Sequence, residues 1–178
     1  ISQQKEPNSV LAIAQIKSND AKQQLQGSDI ILAYQFIQDP GNLGTNLRTA
    51  DWFGIDTIVC SNESVDVYNP KVVQASMGSI FRVKVIYTEL SSFLKKNSRK
   101  YAVYGTFLNG ENLYKAEVKK PAIIVFGNES KGISPETSTF TPNKISIPNF
   151  HKGNTPPESL NISIATAVLC SHIRAHSK

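Results

Sequence analysis

The stretch Ile30-Ile-Leu-Ala-Tyr-Gln-Phe-Ile37 and the segment Asp39-Pro-Gly-Asn-Leu-Gly44 that follows it decide the fold. The first is apolar or aromatic at every position except Gln35, which is typical of a strand buried on both faces of a sheet. The second contains the Pro and Gly residues that end a strand in a loop. We predict a helix from Asn46 to Phe53 after this loop, closed by Gly54 at its C′ position.

The same alternation of strands and helices extends in both directions from this unit. Further strands are predicted at residues 10–16, 56–60, 81–87, 101–106, 122–126 and 144–147, and further helices at 70–77, 89–96, 135–140 and 159–175. The helix at 159–175 has so little polar surface that we expect it to pack in the core or against another subunit. The predicted fold class is therefore α/β, with a mainly parallel sheet flanked by helices.

Length and composition favour a single folded domain. The 178 residues are 40% hydrophobic and 19% charged, and their net charge of +5 favours an anionic partner such as nucleic acid. Cys60 and Cys170 are too few for a disulfide framework or a four-ligand zinc site, so we expect buried, reduced thiols in a cytoplasmic protein. No apolar run reaches the length of a membrane span, and no membrane partner is expected.

Several familiar functional motifs are incomplete. No G-x-G-x-x-G follows a predicted strand, which argues against a classical dinucleotide-binding fold. Gly127-Asn-Glu-Ser-Lys-Gly132 begins like a P-loop, but Ile133 stands where the Lys would be. His172 and His176 have the i,i+4 spacing of metal ligands but lack the glutamate and the third ligand, so we predict no metal site.

Two segments that follow strands hold more polar residues and glycines than a connection needs. In the first, Asn42 at the strand end and Arg48 on the helix can point into one crevice, although a turn with a solvent-facing Arg would look the same. In the second, Gly127 permits close approach of a ligand to the backbone, and Glu129 can bind a cation or a hydroxyl. A simple turn glutamate is the alternative for Glu129.

A third polar segment opens the last predicted helix. Ser159 fits the N-cap position of that helix. Asn161 then falls in the first turn of an otherwise apolar helix, and helix propensity does not explain an asparagine at that position. An unneeded polar group in that position suggests a binding or catalytic site.

Taken together, the three segments resemble the signature motifs of the SpoU/TrmH family of RNA ribose 2′-O-methyltransferases, within the SPOUT superfamily. The resemblance covers residues 30–175, with all motifs in order. The matching positions are Asn42 with Arg48-Thr-Ala50, Phe126-Gly-Asn-Glu129 with Gly132, and Ile147-Pro148 with Ser159-Leu-Asn161.

The resemblance implies a set of expectations about fold and activity. The C-terminal part would thread a deep trefoil knot whose loops hold S-adenosylmethionine, and no metal would be needed. A homodimer would pack its C-terminal helices, and the substrate would be a structured rRNA or tRNA. Residues 1–28 would follow an N-terminal L30e-like RNA-binding domain, and residues 29–178 would be the methyltransferase catalytic domain. The implied cofactor-binding positions are Thr106, Gly127, Ile147 and Leu160, and the implied catalytic positions are Asn42, Arg48, Glu129, Ser159 and Asn161.

Two departures and two alternatives accompany the resemblance. Asn149 stands where the family usually has Met, and the loop from Asn149 to Glu158 is longer than expected, which bears on contacts to the adenine of the cofactor.

One alternative is a non-catalytic RNA-binding module on the same fold, and the presence of Arg48, Glu129 and Asn161 argues against it. The other is a base-modifying SPOUT methyltransferase, and Arg48 together with Ser159-Leu-Asn161 favours ribose instead.

Overall fold

The computed structural model describes residues 13, 15, 25, 27–153, 155 and 157–176. The strands are β1 (Ile30–Tyr34), β2 (Thr57–Ser61), β3 (Lys84–Thr88), β4 (Ala102–Asn112), β5 (Ala122–Phe126) and β6 (Asn143–Ser146). The helices are α1 (Pro40–Trp52), α2 (Pro70–Ser76), α3 (Leu90–Asn97), α4 (Pro135–Ser138) and α5 (Ile162–Ala175). The strand predicted at 10–16 falls largely outside the described residues. Within the part of the chain just given, no helix is long and apolar enough to cross a membrane.

The six strands form one sheet in the order β3-β2-β1-β5-β4-β6. Every neighbouring pair in this sheet is parallel. Parallel neighbours need crossover connections, and a helix lies between each pair of consecutive strands except β4 and β5, which residues 113–121 join without one. The prediction of an α/β fold with a mainly parallel sheet flanked by helices is therefore confirmed.

The sheet is covered on both faces, so the core has two parts. Alternate residues of β1 point to opposite sides: Ile30, Leu32 and Tyr34 belong to a core shared with α1, α2 and α5, whereas Ile31 and Ala33 belong to one shared with α3. All five residues of β1 are buried, as are all of β5, because helices shield both of their faces. Cys60 and Cys170 are buried and free, as predicted, and burial raises the pKa of each thiol to about 12.

Helix α1 begins earlier than predicted. We expected a loop through Gly44 and a helix from Asn46, but α1 starts at Pro40, with the side chain of Asp39 accepting the backbone N–H of Asn42 at 2.7 Å. Proline at the first helical position and aspartate before it are both favourable there. Gly44 is required by packing rather than by a turn, since a Cβ on it would lie 2.5 Å from the Cβ of Ala75 in α2.

Two strands also differ from their predicted bounds. The predicted strand at 81–87 starts only at Lys84, because Ser79–Phe81 forms a 3-10 turn before it. Strand β4 continues beyond Thr106 to Asn112, with residues 107–110 displaced from the register with β6. Ile145 pairs with both Thr106 and Glu111 across this bulge, so β6 supplies the hydrogen bonds that extend β4.

The last helix starts later than predicted, and this corrects the capping residue. Ser159 is not the N-cap of α5; Asn161 is, with its side chain accepting the backbone N–H groups of Ser163 and Ile164. Helix α5 runs parallel to α1, because Asn161 lies against Asn42 at the start of both helices and Arg174 donates to the carbonyl of Phe53 at their ends. Asn161 therefore has a local structural reason that the sequence pattern did not supply.

Candidate active site

A cavity of about 530 Å³ opens at the carboxyl ends of β5 and β6 and beside the bulge of β4, and we call it the first cavity. Open parallel sheets bind their ligands at this edge, where loops rather than side-chain layers meet. The residues of interest come from the bulged part of β4, from the segments that follow β5 and β6, and from the start of α5. All four positions expected to contact a cofactor line it, namely Thr106, Gly127, Ile147 and Leu160.

The loop after β5 has a fixed shape that depends on glycine. A Cβ on Gly127 would lie 2.2 Å from the carbonyl carbon of Gly132, far inside contact distance, so only glycine fits. Asn128 and Gly132 exchange both backbone hydrogen bonds, and the Asn128 side chain accepts the N–H groups of Ser130 and Lys131. The loop between the two glycines is therefore closed on itself, and it presents Glu129 at its tip.

A polar network beside the first cavity joins three separate segments of the chain. The Asn42 side chain donates from Nδ2 to Glu129 Oε1 at 2.6 Å. Its Oδ1 accepts from Asn161 Nδ2 at 3.1 Å and from the Ser163 hydroxyl at 3.2 Å. These contacts fix which way the Asn42 amide faces, because both donors lie on its oxygen side. Three of the five predicted catalytic residues, Asn42, Glu129 and Asn161, are thus in hydrogen-bond contact.

The other two predicted catalytic residues are placed differently. Ser159 is exposed and lines the first cavity without capping α5. Arg48 is exposed on α1, and among the described residues no side chain forms a hydrogen bond or ion pair with it. Arg48 lies outside the lining of the first cavity. The structure therefore joins Ser159 to the cavity and leaves Arg48 facing solvent.

Sequence reasoning missed Ser163. This serine is buried, and its hydroxyl lies within hydrogen-bond distance of both the side-chain oxygen and the backbone carbonyl of Asn42. The available signal was its position two residues after Asn161 in the first turn of an apolar helix. That signal was incomplete, because the contact joins residues 121 positions apart.

Among its described residues, the long loop from Asn149 to Glu158 meets the first cavity only at its far end. Glu158, Ser159 and Leu160 line the cavity, but Asn149 does not. Asn149 instead accepts the backbone N–H of His151 at 2.8 Å, which makes a tight local turn. The residue that departs from the family pattern thus shapes the loop rather than the cavity wall.

The fold and the site place the chain among the α/β proteins whose ligand site lies at the carboxyl edge of an open parallel sheet. More narrowly, the chain belongs to the SpoU rRNA Methylase family, whose model matches residues 29–171. The resemblance found in the three motifs is thereby confirmed.

Named relatives agree with this assignment. The chain is 32% identical over 146 residues to the 23S rRNA (guanosine(2553)-2′-O)-methyltransferase RlmP of Bacillus subtilis, a match that covers 81% of this chain and 57% of that protein. A TrmH-family protein from Porphyromonas gingivalis has a solved structure that superposes with a TM-score of 0.78 at 42% identity, covering 84% of this chain and 61% of that one. An rRNA methyltransferase from Sinorhizobium meliloti, solved with S-adenosylmethionine bound, gives a TM-score of 0.76 at 29% identity, with coverages of 83% and 56%. The chain thus spans little more than half the length of these relatives.

Proposed function

We propose that this chain catalyses transfer of a methyl group from S-adenosylmethionine to a ribose 2′-hydroxyl of structured RNA, either rRNA or tRNA. The observation that carries the proposal is the hydrogen-bonded network of Glu129, Asn42 and Asn161 beside a cavity lined by all four expected cofactor positions. Membership of the SpoU family and the 2′-O-methyltransferase activity in the name of the Bacillus relative support it.

The first cavity fits S-adenosylmethionine. Its volume of about 530 Å³ lies within the ordinary range for small-molecule pockets, roughly 300–1000 Å³. Loop backbone around Thr106, Gly127, Ile147 and Leu160 supplies N–H and C=O groups, and Gly127 leaves no side chain in the way. The bound cofactor supplies a methyl group already activated on sulfur, so the protein's part is to align the acceptor and manage its proton.

The network assigns a different task to each residue. Glu129 has one carboxylate oxygen engaged by Asn42, and the other can accept a hydrogen bond from the ribose hydroxyl. Asn42 positions Glu129, and Asn161 positions Asn42. Arg48 carries a guanidinium group outside the lining of the first cavity, so its task is to bind RNA phosphate at the approach to the site. Its exposure suits a partner that approaches from outside the chain.

The test is transfer of a radiolabelled methyl group by this chain to total rRNA and tRNA, followed by digestion to nucleosides. We expect labelled 2′-O-methylnucleosides from the wild type. The Gly127→Ala variant should lose cofactor binding in calorimetry, because the added Cβ collides with Gly132. Binding of S-adenosylmethionine without transfer to any RNA would favour the non-catalytic RNA-binding module. Label on a base would favour the base-modifying enzyme.

We also propose that the C-terminal part forms the deep trefoil knot implied by the family resemblance. Strand β6 pairs with β4 at the edge of the sheet, yet α5 packs against α1, which lies over its middle. The two ends of the segment between β6 and α5, residues 146–147 and 158–160, both line the first cavity. A crystallographic trace in which residues 143–176 could be pulled straight without passing through an earlier loop would contradict the knot.

A homodimer that covers the exposed side of α5 is the remaining part of the proposal. Ile162 and Leu169 pack inward, but Ile164 keeps 55% of its surface exposed. Trp52, at the end of the neighbouring α1, is 85% exposed. Large exposed apolar side chains on adjacent helices favour burial against a second copy.

The dimer is tested by light scattering at micromolar concentration. The wild type should have the mass of two chains, and Ile164→Lys should have the mass of one. Tyr68→Lys, a matched change at an exposed aromatic side chain outside α5, should leave the dimer intact. A monomeric wild type, or an Ile164→Lys variant that remains dimeric, would contradict this interface.

A further inference from the structure

A second cavity, of about 590 Å³, lies beside the first one. It opens over the carboxyl ends of β1 and β2, whereas the first opens beside the bulge of β4 and over the end of β6. The loop after β5 separates them, since residues 128–131 line both. Asn42 also lines the second cavity, and its hydrogen bond to Glu129 stands at the boundary. A reaction between two bound molecules needs two adjacent sites that meet at the catalytic groups, and this arrangement provides them.

One wall of the second cavity is an aromatic residue held in a strained conformation. Phe36 has φ of 55°, in the left-handed region that side chains other than Asn, Asp and Gly rarely adopt. Its N–H donates to the Ser61 hydroxyl at 2.9 Å, and its carbonyl accepts from Asn128 Nδ2 at 3.0 Å. Strain of this kind persists only where surrounding contacts enforce it, and it concentrates at functional sites. The backbone of Phe36 is therefore fixed at the wall, and its side chain is half-buried there.

The carboxylates of the second cavity differ in what they are free to bind. Asp39 uses one oxygen to cap α1, and Glu129 uses one to hold Asn42. Glu63, in the loop after β2, has no hydrogen-bond or ion-pair partner among the described residues, so both of its oxygens are available. Lys131 supplies an ammonium group to the same lining.

We propose that the second cavity receives the acceptor nucleotide, with Phe36 stacking on its base and Glu63 recognising the Watson–Crick edge of guanine. This inference rests on the proposed function and names the nucleotide that the function leaves open. Aromatic side chains stack on splayed RNA bases of any kind, so Phe36 contributes affinity rather than choice. Lys131 then binds a phosphate next to the ribose.

The preference for guanine follows from donor and acceptor patterns. Guanine presents N1–H and an N2 amino group side by side, which together match the two acceptor oxygens of an ionised carboxylate. Uracil offers a single ring N–H between two carbonyl oxygens. These oxygens and the carboxylate oxygens repel one another. Adenine and cytosine offer one amino group beside a ring nitrogen acceptor. A free carboxylate therefore favours guanine over the other three bases.

The first experiment identifies the methylated nucleoside made by the wild-type chain on total rRNA and tRNA. We expect 2′-O-methylguanosine as the main product. Methylation mainly of uridine, cytidine or adenosine would overturn the guanine assignment and leave the proposed function standing. Absence of any transfer would count against the proposed function instead, and the binding measurement below then decides the inference alone.

The second experiment compares variants on a short RNA that contains the methylated site. Glu63→Gln keeps the shape of the side chain but faces guanine with a donor, and we expect kcat/KM to fall on the order of 10-fold to 100-fold. Glu136→Gln, an exposed carboxamide substitution on α4 outside both cavities, is the matched control and should change nothing. Replacing the target guanosine by inosine removes the N2 amino group and should cost the wild type a similar factor. Inosine should cost the Glu63→Gln variant little more, because the same contact cannot be lost twice.

The third measurement does not depend on methyl transfer. Saturation-transfer NMR with guanosine 5′-monophosphate should show contact between the guanine ring and the wild-type chain, and weaker contact with the Phe36→Leu variant. The wild type should bind guanosine 5′-monophosphate more tightly than inosine 5′-monophosphate. The Glu63→Gln variant should bind the two nucleotides equally. Additive effects of Glu63→Gln and inosine on transfer would overturn the role of Glu63. Equal binding of the two nucleotides by the wild type, or no effect of Phe36→Leu, would overturn the assignment of the cavity.

Discussion

Asn42 is the residue on which the polar network depends, since its one amide group holds Glu129 on one side and meets Asn161 and Ser163 on the other. A smaller residue there would leave Glu129 without its fixed partner. The Asn42 side chain does not line the first cavity, so cofactor binding and catalysis should respond separately to its loss.

We therefore predict that Asn42→Ala lowers kcat for methyl transfer on the order of 10-fold to 100-fold, a typical cost of misplacing a catalytic group. The dissociation constant for S-adenosylmethionine, measured by calorimetry, should stay within about 2-fold of the wild-type value because no contact in the first cavity is removed. Thr45→Ala, an exposed change on the same helix, is the control. An Asn42→Ala enzyme with unchanged kcat would contradict the positioning role.

Asn46 shows the opposite situation, a polar side chain that the fold does not satisfy. It is fully buried in α1, and neither Oδ1 nor Nδ2 has a hydrogen-bond partner in the described part of the chain. A buried amide without partners costs about 1–3 kcal/mol of stability.

We predict that Asn46→Leu, which keeps the branching at Cγ, raises the free energy of unfolding by about 1 kcal/mol. Part of any gain comes from the better helix propensity of leucine, so Thr45→Leu on the exposed side of the same helix is the matched control. Chemical denaturation of both variants measures the difference. A gain at Asn46 no larger than the gain at Thr45 would mean that the buried amide costs nothing.

At the scale of elements, the start of α5 joins helix capping to catalysis through one residue. Asn161 caps α5 with its oxygen and holds Asn42 with its nitrogen. The two tasks use different atoms, so a substitution can remove one without the other. The parallel alignment of α1 and α5 brings the two helix starts together and makes this double use possible.

We predict that Asn161→Ser keeps thermal stability near that of the wild type, because serine also caps helices well. Both Asn161→Ser and Asn161→Ala should lose methyl transfer. Asn161→Ala should lose stability as well, by about 1 kcal/mol. Thermal unfolding and kcat measured on both variants separate the two effects. Recovery of kcat together with stability in Asn161→Ser would show that the cap alone matters.

For the whole molecule, Asp29 ties the end of α5 to the beginning of β1. Arg174 donates to both of its carboxylate oxygens and also to the carbonyls of Phe53 and Gly54, and Lys120 lies 3.4 Å away. Partial burial raises the pKa of Asp29, but the bonds and charges of Arg174 and Lys120 outweigh it and hold the pKa below its usual range. The end of α5, the start of β1 and the start of β5 thus meet at the carboxylate of Asp29.

This ion pair predicts a pH dependence of stability. A carboxylate with a lowered folded pKa stabilises the protein above its unfolded pKa, near 3.9, and that stabilisation is lost as the pH falls through the folded value. Arg174→Gln should therefore lower the melting temperature at pH 7, and the difference from the wild type should shrink below about pH 4. Arg82→Gln, at the exposed pair with Asp51, should have a smaller effect. A difference that is constant down to pH 2 would contradict the role of Asp29.

Much of the site was predictable from the sequence because its signals are local. The end of β1, the glycines after β5 and the polar start of α5 each break an apolar pattern at one point. Parallel strands present their carboxyl ends at one edge, so residues that follow such strands must meet. The four expected cofactor positions accordingly line one cavity, and Asn42, Glu129 and Asn161 touch.

The sequence by itself determined the strand and helix alternation, the parallel sheet and the segments that form the site. Only the tertiary structure decided where α1 and α5 begin, how far β4 extends along β6, that Ser163 binds Asn42, and that a second cavity lies beside the first. The physical reason is the range of the interactions. Periodicity and turn chemistry act over a few neighbouring residues, whereas a strand extension, a buried hydrogen bond between residues 121 positions apart and a cavity exist only once distant segments are packed together.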